Sequence, residues 1–256
     1  MFAGEFMQGR VALVTGGGGG IGSAVVEALA AHGAHVIAAD ITAAKRSIAA
    51  PAHARIESMA LDVCNRVAVQ DAVQDIVARH GRLDILVNVA GVVSVGSAEH
   101  LSEQEWDRVI AINLKGTFLC CQAVIGQMKS QQFGRIVNMG SVVGKNAGNA
   151  RPWRDPAEQA RAGNIVYGIS KAGVHVMTAF LAKELAASGV TVNAVAPGPV
   201  ASSMTTDFPQ TLRDLIPVGR MGQAREIAQA VVFLAASDTS FITGETLDVN
   251  GGIWCD

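Results

Sequence analysis

The amino-acid sequence predicts an α/β protein, a doubly wound parallel β-sheet flanked by helices on both faces. Three observations carry that prediction. Short apolar runs rich in valine and isoleucine alternate with longer segments of helical period, the order a βαβ chain requires. Most of the short runs are continuously apolar rather than alternating, as strands covered on both faces must be. A glycine-rich turn follows the first such run and opens the first helical segment. At 256 residues, with 50% hydrophobic and 16% charged, the chain can build a sizeable core within one domain.

In chain order the strands read as 10–16 (RVALVTG), 35–40, 56–63, 83–91, 134–141, 190–198 and 244–252. Helices read as 21–32, 65–80, 102–131, 164–188 and 224–236, the last with apolar residues recurring at helical spacing. Residues 1–9 read as an N-terminal arm, short and disordered or an expression remnant, ahead of a single domain over 10–256. No internal repeat, low-complexity segment or interdomain linker interrupts that domain.

Several function classes are disfavoured. Net charge is −2 and no lysine or arginine run occurs, so nucleic acid and anionic membrane are not expected partners. No apolar stretch approaches the ~20 residues of a membrane span. The N-terminus MFAGEFMQGR lacks the apolar segment of a secretory signal, which leads us to expect a cytoplasmic location. Cysteines 64, 120, 121 and 255 form no CxxC pair and read as reduced thiols filling space. The six histidines have no metal-ligand spacing, so no metal is expected. His32 and His35 flank a glycine after a helix and read as surface capping groups; His175 reads as a satisfied structural histidine.

The turn TGGGGGIG (15–22) is the first functional signal. A linker would not lie between a buried strand and an apolar helix. Glycines at 16, 20 and 22, with Ile21, allow a tight turn and a close backbone approach to a pyrophosphate, whose charge the helix N-terminus favours. Asp40 ends the second strand, 18 residues after Gly22. An acid there accepts hydrogen bonds from ribose hydroxyls and repels a 2′-phosphate. Lys45 and Arg46 come only five residues on, so NAD(H) is expected over NADP(H). The alternative reading of Asp40 is a helix N-cap.

NIVYGISKAG (164–173) is the second signal: Tyr167 is the only tyrosine, and Lys171, one of six lysines, follows four positions later. By chance that spacing arises about 2% of the time. On a helix the phenol and the ammonium share one face.

With these motifs in order, the sequence resembles the short-chain dehydrogenase/reductases of the single-domain branch, which have a Rossmann fold. The family's TGxxxGxG matches Thr15, Gly16, Gly20 and Gly22. Its Asp-Val pair at the third strand's end matches Asp62 and Val63, and its NNAG motif appears as NVAG, keeping Asn88, Ala90 and Gly91 but with Val89 in place of an asparagine. The catalytic asparagine matches Asn113, the serine Ser141, YxxxK Tyr167 and Lys171, and the PG motif Pro197 and Gly198. Val200 and Ser202 fall where the family contacts the nicotinamide carboxamide. The match runs from about Arg10 to Gly252.

The resemblance implies reversible hydride transfer between NAD(H) and a secondary alcohol or ketone. Tyr167 is then the general acid/base and Lys171 lowers its pKa and bonds the nicotinamide ribose. Ser141 holds the substrate oxygen, and Asn113 holds a water in a proton relay. Each has a plainer reading: Asn113 bonding a backbone group at a helix irregularity, Ser141 capping the turn after its strand. The family also implies a homotetramer built through paired long helices. An NADP(H)-dependent, 3-oxoacyl-reductase-like enzyme is the alternative, and a non-catalytic dinucleotide-binding regulator a further one. Gln132 and Ser188 replace the arginines by which acyl-carrier-protein reductases meet their acidic partner, which marks that substrate down.

Two segments depart from the pattern or shape the pocket. Ser141 precedes Tyr167 by 26 residues, about twice the usual family separation, with an insertion at about 145–164. There Trp153 with Arg151 or Arg154 reads either as a pocket wall for an anionic substrate or as a surface excursion or oligomer contact. Residues 199–222 match the family's substrate lid, where Met204, Phe208, Leu212, Leu215 and Ile216 offer an apolar face.

Overall fold

The computed structural model describes residues 4–42, 54–148, 157, 163–201 and 209–255. Strands β1 (Val11–Thr15), β2 (His35–Asp40), β3 (Arg55–Ala60), β4 (Ile85–Asn88), β5 (Gly134–Met139), β6 (Val190–Pro197) and β7 (Thr246–Val249) alternate with helices. The helices are α1 (Gly20–Ala31), α2 (Arg66–His80), α3 (Glu103–Ile110), α4 (Thr117–Gln131), α5 (Val143–Asn146), α6 (Ile165–Leu185), α7 (Gln210–Arg213) and α8 (Ala224–Ala235). Among the described residues the strands form one seven-stranded sheet, ordered β3-β2-β1-β4-β5-β6-β7, with every pairing parallel. The chain winds outward from β1 through β2 to β3, then returns to β4 on β1's other side. That reversal opens a crevice at the carboxyl ends of β1 and β4.

Local chemistry sets the helix ends. Asn65 accepts the Ala68 N–H to start α2, and Gly81, at φ 74°, ends it behind Arg79 and His80. Ser102 accepts the Glu105 N–H to start α3, and Gln223 and Glu226 cap α8 reciprocally. The continuously apolar strand signal has a direct cause, since side chains alternate between two covered faces. Ala12, Val14, Val36, Ala38 and Val87 meet α1 and α8 on one face. Leu13, Ile37, Leu86, Ile136 and Val192 meet α2, α4 and α6 on the other.

Two expectations need correction. The arm is not loose over its described part. Met7 is 2% exposed, packed in the core beside α1, with its N–H on the His32 carbonyl, and Phe6 lies 4.6 Å from the His32 ring. A single docking side chain leaves no periodicity for a sequence to reveal. The predicted helix 102–131 is two α-helices joined by a wider π segment, Ala111–Gly116. That run (Glu103–Gln131) and Ile165–Ser188 also have the length and composition to cross a membrane, although scattered polar residues break any continuous apolar stretch. Both pack one face against the sheet, and core helices pass the same test.

All four cysteines are free thiols. Burial pushes Cys120 up to about 12 and raises Cys121 still further, so both are inert fillers of the α4 face.

Candidate active site

The glycine turn is tight for steric reasons. Gly16 sits at φ +65°, and a Cβ there would lie 2.7 Å from the Ala90 nitrogen. A Cβ on Gly22 would overlap the Gly16 carbonyl, so α1 starts pressed against the turn. The Thr15 hydroxyl accepts the Ala90 N–H at 3.3 Å, joining the β1 and β4 ends. Gly19, the N-cap of α1, offers no side-chain cap, and a Cβ on Gly20 would meet nothing within 4 Å. An uncapped helix N-terminus facing open space, with Ile21 partly exposed beside it, fits a pyrophosphate.

Asp40 stands at the adjacent strand tip, where it caps no helix. One carboxylate oxygen accepts the Gly18 N–H at 3.0 Å and the other the Ile41 N–H at 2.8 Å. The acid therefore braces the turn while its charge stays beside it. Asp62 is exposed and accepts the Cys64 N–H at 2.9 Å, turning the chain into α2. Val63 is buried against the π segment, where a Cβ on Gly116 would come 2.8 Å from Val63 Cγ2.

Asn88 faces inward. Its amide donates to Asn138 Oδ1 at 2.9 Å and to Cys121 Sγ at 3.3 Å, and Asn138 in turn donates to Thr178. This buried network ties β4, β5, α4 and α6 together below the crevice, so the Asn88 side chain is spent on structure. Ala90 and Gly91 lie at the crevice. A Cβ on Gly91 would sit 3.2 Å from Asn113 Oδ1 and 3.5 Å from Lys171 Nζ.

Asn113 lies in the π segment, fully buried. Its Oδ1 accepts the Val92 N–H at 2.8 Å, and its amide donates to the Val92 carbonyl and to Ser170 Oγ. The plainer reading of this residue is thus what the fold builds: a side chain bonded to backbone at a helix irregularity. A water relay would have to use its main-chain carbonyl, which already accepts Thr117 Oγ1 at 2.8 Å.

Ser141 follows β5, and its hydroxyl accepts the Val143 N–H at 3.2 Å, so it does cap the turn. It also hydrogen-bonds the Tyr167 phenol. Burial raises the Tyr167 pKa above its usual value, and the Ser141 bond pulls against that rise. Lys171 is buried one turn on, with Nζ donating to the Met139 carbonyl at 2.8 Å and lying 5.8 Å from the Tyr167 ring centre. Burial drops the ammonium to about 8. Within the chain's own groups, then, desolvation outweighs the phenolate-favouring effect expected of Lys171.

Two supports stand beside this group: Ser170, which sequence reasoning missed, and His175, which it read as a satisfied structural histidine without naming its partner. His175 Nε2 accepts the Ser141 N–H at 3.3 Å, and Ser170 Oγ donates to the Tyr167 carbonyl at 2.7 Å. The spacing signal for His175 existed, since it lies four residues after Lys171 on the same helix face.

The PG motif closes the far side. The Pro197 carbonyl accepts the Val142 N–H at 3.0 Å, tying the end of β6 to the serine turn. The Gly198 N–H donates to the Val249 carbonyl at 3.0 Å. Val200 bridges Gly222, which joins the two ends of the lid segment. Within that segment Ile216 is buried against Gly251 while Leu215 is half exposed, so they do not share one apolar face. Ser202, Met204, Phe208, Lys45, Arg46, Arg151, Trp153 and Arg154 lie outside the described residues. The insertion's return is anchored, because the Gly96 N–H donates to the Gly163 carbonyl at 2.6 Å.

A family model described as enoyl-(acyl carrier protein) reductase matches residues 16–254. A 3-oxoacyl-[acyl-carrier-protein] reductase of Thermotoga maritima is 38% identical over 96% of this chain and 98% of its own length. The (2S)-[(R)-hydroxy(phenyl)methyl]succinyl-CoA dehydrogenase subunit BbsD of Thauera aromatica is 40% identical over 96% of this chain and 97% of its own. A crystal structure of a short-chain dehydrogenase/reductase from Burkholderia xenovorans superposes with TM-score 0.88 at 36% identity, covering 98% of this chain and 100% of that one. A parallel sheet with its crevice at a glycine turn, a serine–tyrosine–lysine group beside it and relatives matched over nearly their whole length lead to one conclusion: the chain belongs to the short-chain dehydrogenase/reductase family and is an oxidoreductase acting on CH–OH groups with a nicotinamide dinucleotide.

Proposed function

We propose that the protein interconverts a secondary alcohol and a ketone with NAD(H), Tyr167 supplying or taking the hydroxyl proton. The observation that carries this reading is the Ser141–Tyr167 hydrogen bond with Lys171 one turn away, at the mouth of the glycine cradle. The dinucleotide, when bound, supplies the hydride acceptor or donor. Gly16, Gly20, Ile21 and Gly22 would hold its pyrophosphate, and Asp40 its adenosine ribose. Asp62 and Val63 would border the adenine; Ala90, Gly91, Pro197, Gly198, Val200 and Ser202 would line the path to the nicotinamide, with Asn88 bracing the end of β4 beneath them. Ser141 orients the substrate oxygen toward the phenol. Tyr167 passes the proton, and Lys171 bonds the ribose and steadies the phenolate. Asn113 clamps the strand-end loop that faces Lys171 Nζ.

NAD is favoured because the Asp40 carboxylate lies against the Gly18 N–H, where a 2′-phosphate would bring a second negative charge. A second reading is an NADP-dependent 3-oxoacyl thioester reductase, favoured by the reductase activity for which the Thermotoga relative is named. Gln132 opposes its carrier-protein form: its side chain is turned back onto the Lys129 carbonyl. A homotetramer is supported by the exposed apolar side chains Ile169, Val176 and Phe180 on α6, with Phe118 on α4. Free thiols suit a cytoplasmic location.

The test is a panel of secondary alcohols, hydroxy acids, polyols and ketones run with NAD and with NADP, scored by absorbance of the reduced cofactor. Turnover with NAD on at least one alcohol is expected. A clear preference for NADP throughout would overturn the cofactor assignment, and no turnover with either would overturn the catalytic one.

A further inference from the structure

Far from the crevice, at the opposite end of the sheet, three side chains from three elements converge. His35 is the first residue of β2, Glu57 lies in β3, and His80 is the last residue of α2. Parallel pairing sets His35 opposite Arg55 and Ile37 opposite Glu57, so His35 and Glu57 lie on one face, two residues apart in register. That face is the one α2 covers, because Ile37 is buried with Val73 and Ile76 of α2. Gly81 ends the helix and leaves His80 directly over the pair.

The donor atoms point at one another. His35 Nε2 lies 2.6 Å and His80 Nε2 3.6 Å from the same oxygen, Glu57 Oε1. All three lie within 4.8 Å of one another. The second Glu57 oxygen is taken by Arg79, which is itself held by Asp75 at 2.9 Å. Arg79 thus orients the carboxylate and leaves Oε1 turned toward the imidazoles. His80 Nε2 is buried and has no hydrogen-bond partner within range.

We propose that His35, Glu57 and His80 form a binding site for a divalent transition-metal cation, Zn²⁺ foremost. Two imidazole nitrogens and one carboxylate oxygen are a zinc donor set, with a fourth position left for water. Tetrahedral ligands at about 2.1 Å from zinc stand roughly 3.4 Å apart. The His80–Glu57 separation of 3.6 Å already meets that spacing. The His35–Glu57 contact is a hydrogen bond and must open by somewhat under 1 Å as the cation replaces the shared proton. That proton leaves Nε2 for solvent or for Nδ1, and no redox change accompanies it. Arg79 stays on the other oxygen as the outer support that ligand carboxylates commonly have. Side-chain exposures of 21%, 37% and 15% leave the trio within reach of solvent. A bound ion would tie β2, the edge strand β3 and the end of α2 together.

The test uses the untagged full-length protein, stripped with chelator and titrated with ZnCl₂ by calorimetry, with thermal unfolding as a second readout. One Zn²⁺ per chain and a raised Tm are expected. Glu57→Gln, His35→Gln and His80→Gln should each weaken binding at least tenfold and cancel the rise in Tm. Cooperative unfolding of the zinc-free variants checks that each still folds. Equal zinc affinity in wild type and variants would assign the metal to other groups, such as the exposed Cys255, and would overturn the proposal. Absence of binding to wild type would reduce the trio to an ion-pair cluster and overturn it as well.

Discussion

The main-chain N–H of Ser141 is held by the imidazole of His175, donating to Nε2 at 3.3 Å. Backbone N–H can only donate, so this nitrogen must carry no hydrogen, and the ring keeps its hydrogen on Nδ1. Helix α6 therefore presents Tyr167, Lys171 and His175 at successive turns toward the end of β5. Room for the ring comes from Gly140, where a Cβ would overlap Nε2, and from Gly144, where one would lie 2.9 Å from Cε1.

The first prediction concerns this contact. Losing one such hydrogen bond is worth about 1 kcal/mol, so His175→Ala should lower kcat about five- to tenfold with cofactor KM unchanged. Gly140→Ala should destabilise the wild type by about 1–3 kcal/mol through overpacking, and much less beside His175→Ala. A double-mutant cycle of unfolding free energies and steady-state rates measures both. Additive effects would contradict the packing described.

Tyr167→Phe should abolish nearly all turnover while cofactor still binds, read by fluorescence titration. Burial raises the Tyr167 phenol, so at neutral pH it is protonated. Alcohol oxidation needs the phenolate and should speed up as pH rises through the alkaline range. Ketone reduction needs the phenol and should hold through neutrality, then fall. Lys171 loses its charge as pH passes about 8, which removes support for the phenolate. Rate profiles in both directions check the signs; flat oxidation rates from acid to alkaline pH would count against a tyrosine base.

Asp40→Ala removes the charge facing a 2′-phosphate and the acceptor for the Gly18 N–H. The ratio of kcat/KM for NAD over NADP should drop about tenfold or more, since one charge contact at this range is worth about 1–4 kcal/mol. Some loss with both cofactors should accompany it, because the glycine turn loses its brace. An unchanged ratio would show that Asp40 does not select the cofactor.

Met7→Ala should destabilise the fold by about 2–4 kcal/mol, the cost of a cavity in a packed core. Met7 is 2% exposed, and its removal also loosens the contact with the turn after α1. Denaturant unfolding measures this, and an unchanged midpoint would restore the view of the arm as dispensable.

Much of the fold was legible because its signals are local. Most of the seven strands announced themselves as continuous apolar runs; the structure keeps 35–40 unchanged, moves the third strand to Arg55–Ala60, and shortens the other five by a residue or several where a turn takes over the backbone bonds. The π segment was not legible. Its cause is a wider turn that buries Asn113 against Val92, and apolar spacing over 102–131 reads the same with or without it. Asn88 was readable as a motif position, but not as a buried amide, because its partners Cys121 and Asn138 come from other elements.

By itself the sequence determined the fold class, the order of the cradle, serine, tyrosine and lysine, and the face that Tyr167 and Lys171 share. Those follow from apolar periodicity, turn chemistry and helical spacing, all properties of neighbouring residues. Only the tertiary structure decided that Met7 docks, that His175 holds Ser141, and that His35, Glu57 and His80 meet. Strand register and helix packing join residues far apart in the chain, and spacing along the chain does not encode those meetings.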